Sequence, residues 1–381
     1  MAVVFAVLGG VLVLLTWRSV LSVLVVPRRF RDRLNGTIIW VVAAAFRAAT
    51  RPMRSYYRRD RILAWLAPTI ILAQLAVWLG FFYIGFAAML NAVNTTEPVA
   101  QAFAQAGSSL FTLGYAGPRN VPLTAIDYFA AATGLIVVAL QIGYLPTLYG
   151  AYNRRETEVA LLIGRAGVPA WGPEILARTR YGFAAEDDGA VMDDFYLQWE
   201  RWAADVSESH TNYRVLISFR SPAKYSSWLI ALLAVLDSAA LWLALSPGRA
   251  PTVACRLALR QGFTTLQAIA ETLGLPVDRD PDPDSDLQLS YTEYLAGVER
   301  IASTTFRMER TAEEAWPDFR GWRVNYEAVA YAIAYRLDSV PAAWSGPRRT
   351  GDAPIAPIRP ATRLPTAFGA RKAEKVIVPD R

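Results

Sequence analysis

The chain has 381 residues, 54% of them hydrophobic and only 19% charged, with a formal net charge of +6. Soluble domains carry more charge than this, so the composition indicates a membrane protein. The positive charge does not indicate nucleic-acid binding, because the arginines gather beside apolar runs as the positive-inside rule requires. One cysteine, Cys255, excludes an internal disulfide framework, and one histidine, His210, argues against a histidine-rich metal site and against Ser-His-Asp catalysis.

The first apolar run, Ala2 to Val20 within residues 1–26, has its arginines after it rather than before it (Arg28, Arg29, Arg31, Arg33). A secretory signal has the reverse order, so a retained membrane helix is predicted, with Trp17 in the aromatic belt and Arg18 snorkelling to the headgroups. Residues 27–61 form a basic segment expected on the cytoplasmic side. Inside it, Thr37 to Thr50 is apolar but too short to span. It reads either as a helix along the inner membrane surface or as a helix packed on its neighbours.

Ile62 to Leu90 is the second long run, roughly 43 Å as a helix and enough to cross with tilt. Pro98 opens a shorter segment, Val99 to Phe111, rich in Ala, Gln and Ser. It suits a helix of about three turns that does not span. Thr124 to Tyr152 is the third long run and stops at Arg154 and Arg155. Three spans place the N-terminus outside and the C-terminus inside the cell membrane. From residue 157 to 339 charge rises and Phe195, Trp199, Trp202 and Val206 recur at helical spacing, which predicts a helical cytoplasmic domain. Residues 340–381 are rich in Pro, Gly and Arg and are expected to be extended or disordered. Tyr225 to Leu245 has the length of a span, but crossing would export Arg249, Arg256 and Arg260, so a buried core helix is predicted.

Between the short polar helix and the third span lies Thr112-Leu113-Gly114-Tyr115-Ala116. An ion filter needs a stack of oxygen ligands to replace hydration water, and inward backbone carbonyls supply them when backbone handedness alternates. Gly114 adopts a positive φ cheaply, Thr112 adds a hydroxyl, and Tyr115 can brace the loop on neighbouring aromatics. Non-helical backbone at membrane depth is tolerated where it lines a cavity. The preceding helix aims its negative end at such a loop, which favours cations.

This stretch resembles the pore loop of the potassium-channel superfamily, whose filter reads Thr-Val-Gly-Tyr-Gly. Thr112, Gly114 and Tyr115 match, and Leu113 replaces Val while keeping the carbonyl. The order of outer helix, pore helix, filter and inner helix is also similar over residues 62–156. Gly134, Gly143 and Pro146 resemble the hinge and gate positions of the inner helix. The resemblance implies a homotetramer passing potassium or another monovalent cation, with lipid as surroundings, no further cofactor or metal, no nucleic-acid partner and no enzymatic activity. Two departures bear on selectivity: Ala116 replaces the second filter glycine, at about 1–2 kcal/mol if left-handed, and Pro118 and Arg119 follow where an acidic residue is common. A poorly selective cation channel and a non-conducting scaffold or signalling subunit are the alternatives. The expected fold class is an all-α membrane protein, with three transmembrane helices, a re-entrant pore helix with its filter, and an α-helical cytoplasmic domain.

Weaker signals have plainer readings. Asp282, Asp284, Asp286 and Glu293 echo an EF-hand, yet Leu287 stands where glycine is needed. An acidic loop before a helix capped by Ser290 and Glu293 is expected instead. Glu186 to Asp188 with Asp193 and Asp194 reads as a solvated turn feeding a helix start, and His210 as a surface residue. Asp237 is expected to be buried against an arginine, and Trp199, Trp202 and Trp228 to be core. No Gly-rich phosphate loop and no voltage-sensor pattern is present.

Overall fold

A computed structural model describes residues 2–26, 32–116, 121–178 and 189–359. Among these the chain is helical, with two isolated β-bridges and no strand. Four helices are long and apolar enough to cross a membrane: Ala2–Leu24, Tyr56–Val93, Val121–Ala166 and Trp228–Leu245. The chain divides into two compact units, residues 1–51 with 62–150, and residues 52–61 with 151–381.

In the first unit, α1 (Ala2–Leu24) packs along α4 (Leu66–Val93), and α2 (Arg33–Thr50) and α5 (Val99–Leu110) also lie on α4. Gly9 and Gly85 set the α1–α4 crossing. A Cβ on Gly9 would lie 2.6 Å from the Gly85 carbonyl oxygen, so only glycine permits this backbone approach. α2 starts after Asp32, which caps it by accepting from Leu34 and Asn35 N–H and also accepts from Ser19 Oγ. α6 (Val121–Ala166) runs unbroken past Pro146. The unit keeps Trp78, Phe82 and Phe86 inside, while Val3, Leu8 and Leu14 of α1 and Leu135 and Ile142 of α6 are exposed. An apolar interior with an apolar exterior is what a bilayer or further protein must cover.

The second unit is built around α9 (Trp228–Leu245), every residue of which is buried. α7 (Gly172–Ala177), α8 (Gly189–Asn212), α10 (Thr252–Leu273), α12 (Ala312–Arg323) and α13 (Glu327–Leu337) pack against it, and α11 (Tyr291–Ala302) packs on α7 and α12. The covering helices are amphipathic and expose Arg201 and Glu208, Arg256 and Arg260, and Glu313 and Asp318. Trp199, Trp202 and Trp228 lie in this core, as expected. So does Asp237, paired with the fully buried Arg323 and hydrogen-bonded by Tyr326 Oη at 2.9 Å. Arg323 also donates to Glu327 at 3.0 Å and to the Trp344 carbonyl at 2.8 Å. Ser290 and Glu293 form the expected capping box on α11, and Asp282 accepts from the Asp284 N–H in a local turn.

Four expectations change. The tail predicted to be loose from Val340 is packed over its first part: Val340, Trp344 and Arg348 are buried. Arg348 is held by the carbonyls of Ser339, Val340 and Ser345. Residues 360–381 lie outside the described residues, as do Glu186 to Asp188. The basic segment 27–61 is divided, because Arg59 of α3 (Tyr56–Leu63) is buried between Asp338 and Asp352 of the second unit. His210 is fully buried rather than at the surface. Its Nε2 lies 2.9 Å from Arg155 Nη1 and its Nδ1 lies 3.0 Å from Ser209 Oγ. A guanidinium only donates, so Nε2 accepts and Nδ1 carries the proton. Arg155, expected to mark the cytoplasmic end of the span, is itself fully buried. It donates further to Glu156, to the Leu216 carbonyl at 2.9 Å and to the Phe219 carbonyl at 3.0 Å.

Burial, and then the Arg155 charge, push His210 well below its ordinary range near 6.5. The unfolded chain therefore takes up a proton there as pH falls through 6.5, and the folded chain does not. Native stability should drop on the acid side of 6.5, relative to a His210→Gln variant, by about 1.4 kcal/mol per pH unit. Denaturation of both proteins in detergent from pH 7 to 5 measures the gap; a gap independent of pH would contradict a neutral buried imidazole.

Candidate functional site

The loop 111–116 leaves the C-terminal end of α5. Helix ends leave carbonyls without partners, and this one turns the chain back upon itself. Phe111 N–H donates to the Gly107 carbonyl at 3.0 Å, Thr112 N–H to that of Ser109 at 3.0 Å, and Leu113 N–H to that of Ser108 at 2.8 Å. The last two are the bonds of a Schellman motif, which places Thr112 at the left-handed position usually held by glycine. Its φ is 54° and that of Gly114 is 72°, with no positive φ at Leu113 between them. The sign of φ therefore alternates over Thr112, Leu113 and Gly114. The left-handed strain expected at Ala116 is absent there and falls on Thr112 instead.

Ser108 holds the rest of the loop. Its carbonyl is also approached by Gly114 N–H at 3.4 Å. Its hydroxyl accepts from Ala116 N–H at 3.0 Å and donates to the Ala116 carbonyl at 3.2 Å. Tyr115 braces the loop, but through a hydrogen bond from its hydroxyl to the Ala104 carbonyl at 3.1 Å rather than on aromatics.

These bonds fix where the carbonyls point. In a trans peptide the C=O of one residue opposes the N–H of the next. The N–H groups of residues 112, 113, 114 and 116 all turn toward α5, so the carbonyls of Phe111, Thr112, Leu113 and Tyr115 turn away from it. The loop is exposed from Phe111 to Tyr115. The Ala116 carbonyl is drawn back toward α5 by the Ser108 hydroxyl. A row of backbone oxygens on an open face, at the negative end of a helix, can coordinate a cation when copies of the row complete a ring. Gly117, Pro118 and Arg119 lie outside the described residues.

α6 backs this arrangement. Gly134 faces the Leu110 carbonyl so closely that a Cβ would collide with it, which makes Gly134 a contact position for the end of α5. Gly143 has open space around it, and Pro146 is exposed within the helix. Pro146 has no N–H to give to the Ile142 carbonyl, which weakens the helix at that turn. Asp127 carries no role in the sequence-based expectations, although an ionisable residue inside an apolar run is itself a signal. It is buried and accepts from Gln105 Nε2 at 2.7 Å and Ser109 Oγ at 2.6 Å. Among the described residues no cluster of His, Cys, Asp and Glu is arranged to hold a metal ion. No protein-family model, curated protein or solved structure matches the chain.

The two inner-helix glycines should respond oppositely to alanine. Gly134→Ala drives a methyl into the Leu110 carbonyl and should cost about 1–3 kcal/mol. Gly143→Ala meets nothing and should be neutral or stabilising by about 0.5–1 kcal/mol. Thermal denaturation of the two variants in detergent compares them directly.

Proposed function

We propose that four copies of this chain surround one axis and form a cation pore that passes potassium, with Thr112, Leu113, Gly114, Tyr115 and Ala116 of each copy lining the filter. The observation that carries this reading is the shared direction of the Thr112, Leu113 and Tyr115 carbonyls on an exposed face at the C-terminal end of α5. One such row cannot encircle an ion, and closed rotational symmetry supplies the others. In this reading α1, α4 and α6 span the cell membrane, with the N-terminus outside and the C-terminus in the cytoplasm. α9 does not span, because charged, water-suited helices enclose it. Lipid and sister copies cover the apolar faces of α1 and α6. Gly143 and Pro146 give the inner helix its flexible turn, and Gly134 gives it the contact with α5. The second unit assembles or gates the pore. The permeating monovalent cation is the only ligand, and no enzymatic step is involved.

One observation favours a weakly selective variant of the same pore. The Ala116 carbonyl accepts from Ser108 Oγ and is withdrawn from the row, which leaves the outer end of the filter one oxygen short in each copy.

Purified protein in liposomes should take up potassium in preference to sodium, and Gly114→Asp should abolish the flux by placing a side chain at a left-handed glycine in the filter. Ala116→Gly should raise the potassium-to-sodium ratio if the withdrawn carbonyl limits it. Chains that migrate as monomers or dimers and pass neither ion would replace the pore with a membrane-anchored scaffold.

A further inference from the structure

Asp127 is an acidic side chain bonded to the helix that ends in the loop. It sits on the second turn of α6, buried against the C-terminal half of α5. Each carboxylate oxygen accepts one hydrogen bond, Oδ2 from the Gln105 amide at 2.7 Å and Oδ1 from the Ser109 hydroxyl at 2.6 Å. Both partners present a donor, so the site is built for a group that accepts on two atoms. Asparagine keeps both contacts only if the Ser109 hydroxyl turns from donor to acceptor, and it gives up the charge that strengthens both bonds. Hydrogen bonds to a charged acceptor are shorter and stronger than neutral ones.

One of the two residues it holds, Ser109, adjoins the loop's anchor Ser108. Ser109 supplies the carbonyl that receives Thr112 N–H, and the adjacent Ser108 holds Leu113, Gly114 and Ala116. A chain of contacts therefore runs from Asp127 through Ser109 to Ser108 and the loop, with Gln105 holding the carboxylate's other oxygen. We propose that Asp127 is the positioning residue of the filter: it fixes the last turn of α5 and through it the spacing of the Thr112, Leu113 and Tyr115 carbonyls, and so sets the discrimination between potassium and sodium. This rests on the pore reading above. Selection between two ions of one charge depends on where oxygens sit, and a displaced anchor moves several at once.

The test uses the full chain in liposomes, with Asp127→Asn, Ser109→Ala and the exchange pair Gln105→Glu with Asp127→Asn. The exchange moves the carboxylate to α5 and the amide to α6 and so rebuilds the pair with reversed polarity. Two readouts are taken: the potassium-to-sodium flux ratio and hydrogen exchange at the Leu113 and Gly114 amides. Asp127→Asn should lower the ratio about tenfold and speed exchange by a similar factor, Ser109→Ala should do so less, and the exchange pair should recover both. A wild type that selects potassium while all three variants keep its ratio and its protection would overturn the assignment. If Asp127→Asn does not assemble, Ser109→Ala and the exchange pair decide: an unchanged ratio in Ser109→Ala overturns the role, and a lowered ratio together with recovery in the pair upholds it. A wild type that passes no ion would count against the pore. Loss and recovery of amide protection across the same variants would still establish the positioning contact.

Discussion

The end of α5 is the constraint from which the rest of the first unit follows. A helix that stops among apolar helices leaves carbonyls that water cannot reach, each costing several kcal/mol if unmet. The chain meets them with its own next amides, and that choice dictates the backbone of the loop. Thr112 must enter the left-handed region at a cost of about 1–2 kcal/mol, and Ser108 offsets it by engaging Ala116 through both halves of its hydroxyl. Once the amides face the helix, the carbonyls face outward. The oxygen row and the satisfied helix end are the same set of peptide planes.

The two units solve burial in opposite ways, and hydropathy does not separate them. α1 and α9 are equally apolar over their most apolar windows, yet only 28% of that window is buried in α1 and all of it in α9. What distinguishes them lies in other parts of the chain: α8, α10 and α12 each carry one apolar face and one charged face, and together with α7 and α13 they enclose α9. Asp237 within α9 fits this interior only because Arg323, Tyr326 and Glu327 arrive from the distant α12–α13 segment. A buried pair of this kind is costly to break, since either partner left alone is an uncompensated charge.

Much of the fold was legible because long apolar runs, arginine placement and capping residues are local signals. The long apolar helices near residues 2–24, 66–93 and 121–152, the short helix after Pro98 and the Ser290–Glu293 cap all follow from neighbours in sequence. The positive φ of Gly114 was legible for the same reason, since glycine carries that freedom by itself. Burial of polar residues was not. His210 sits in the polar stretch Ser207 to Asn212 and reads as surface, but its surroundings are set by Arg155, which is 55 residues away in the chain. Asp127 escaped because its partners, Gln105 and Ser109, precede it by about six and five helical turns' worth of residues with the loop intervening. Val340 to Arg348 reads as a Pro- and Arg-rich tail because the carbonyl cage around Arg348 has no sequence signature.

α6 joins these two kinds of information in one element. Its apolar run ends at Tyr152, but the helix does not, because nothing in Asn153 to Arg165 breaks it: no glycine or proline occurs until Gly164. The polarity of the helix changes while its backbone stays regular. At the change stands Arg155, whose desolvation is offset by Glu156, two carbonyls and the His210 ring, with Tyr152 and Trp228 stacked beside the guanidinium at 5.3 and 5.5 Å. Lysine offers three donors on a compact ammonium and no planar face, so it cannot reproduce both the fork of hydrogen bonds and the stacking. The requirement for arginine here is therefore geometric as well as electrostatic. It explains how a cation that ends an apolar run comes to rest in a protein interior instead of at a lipid headgroup.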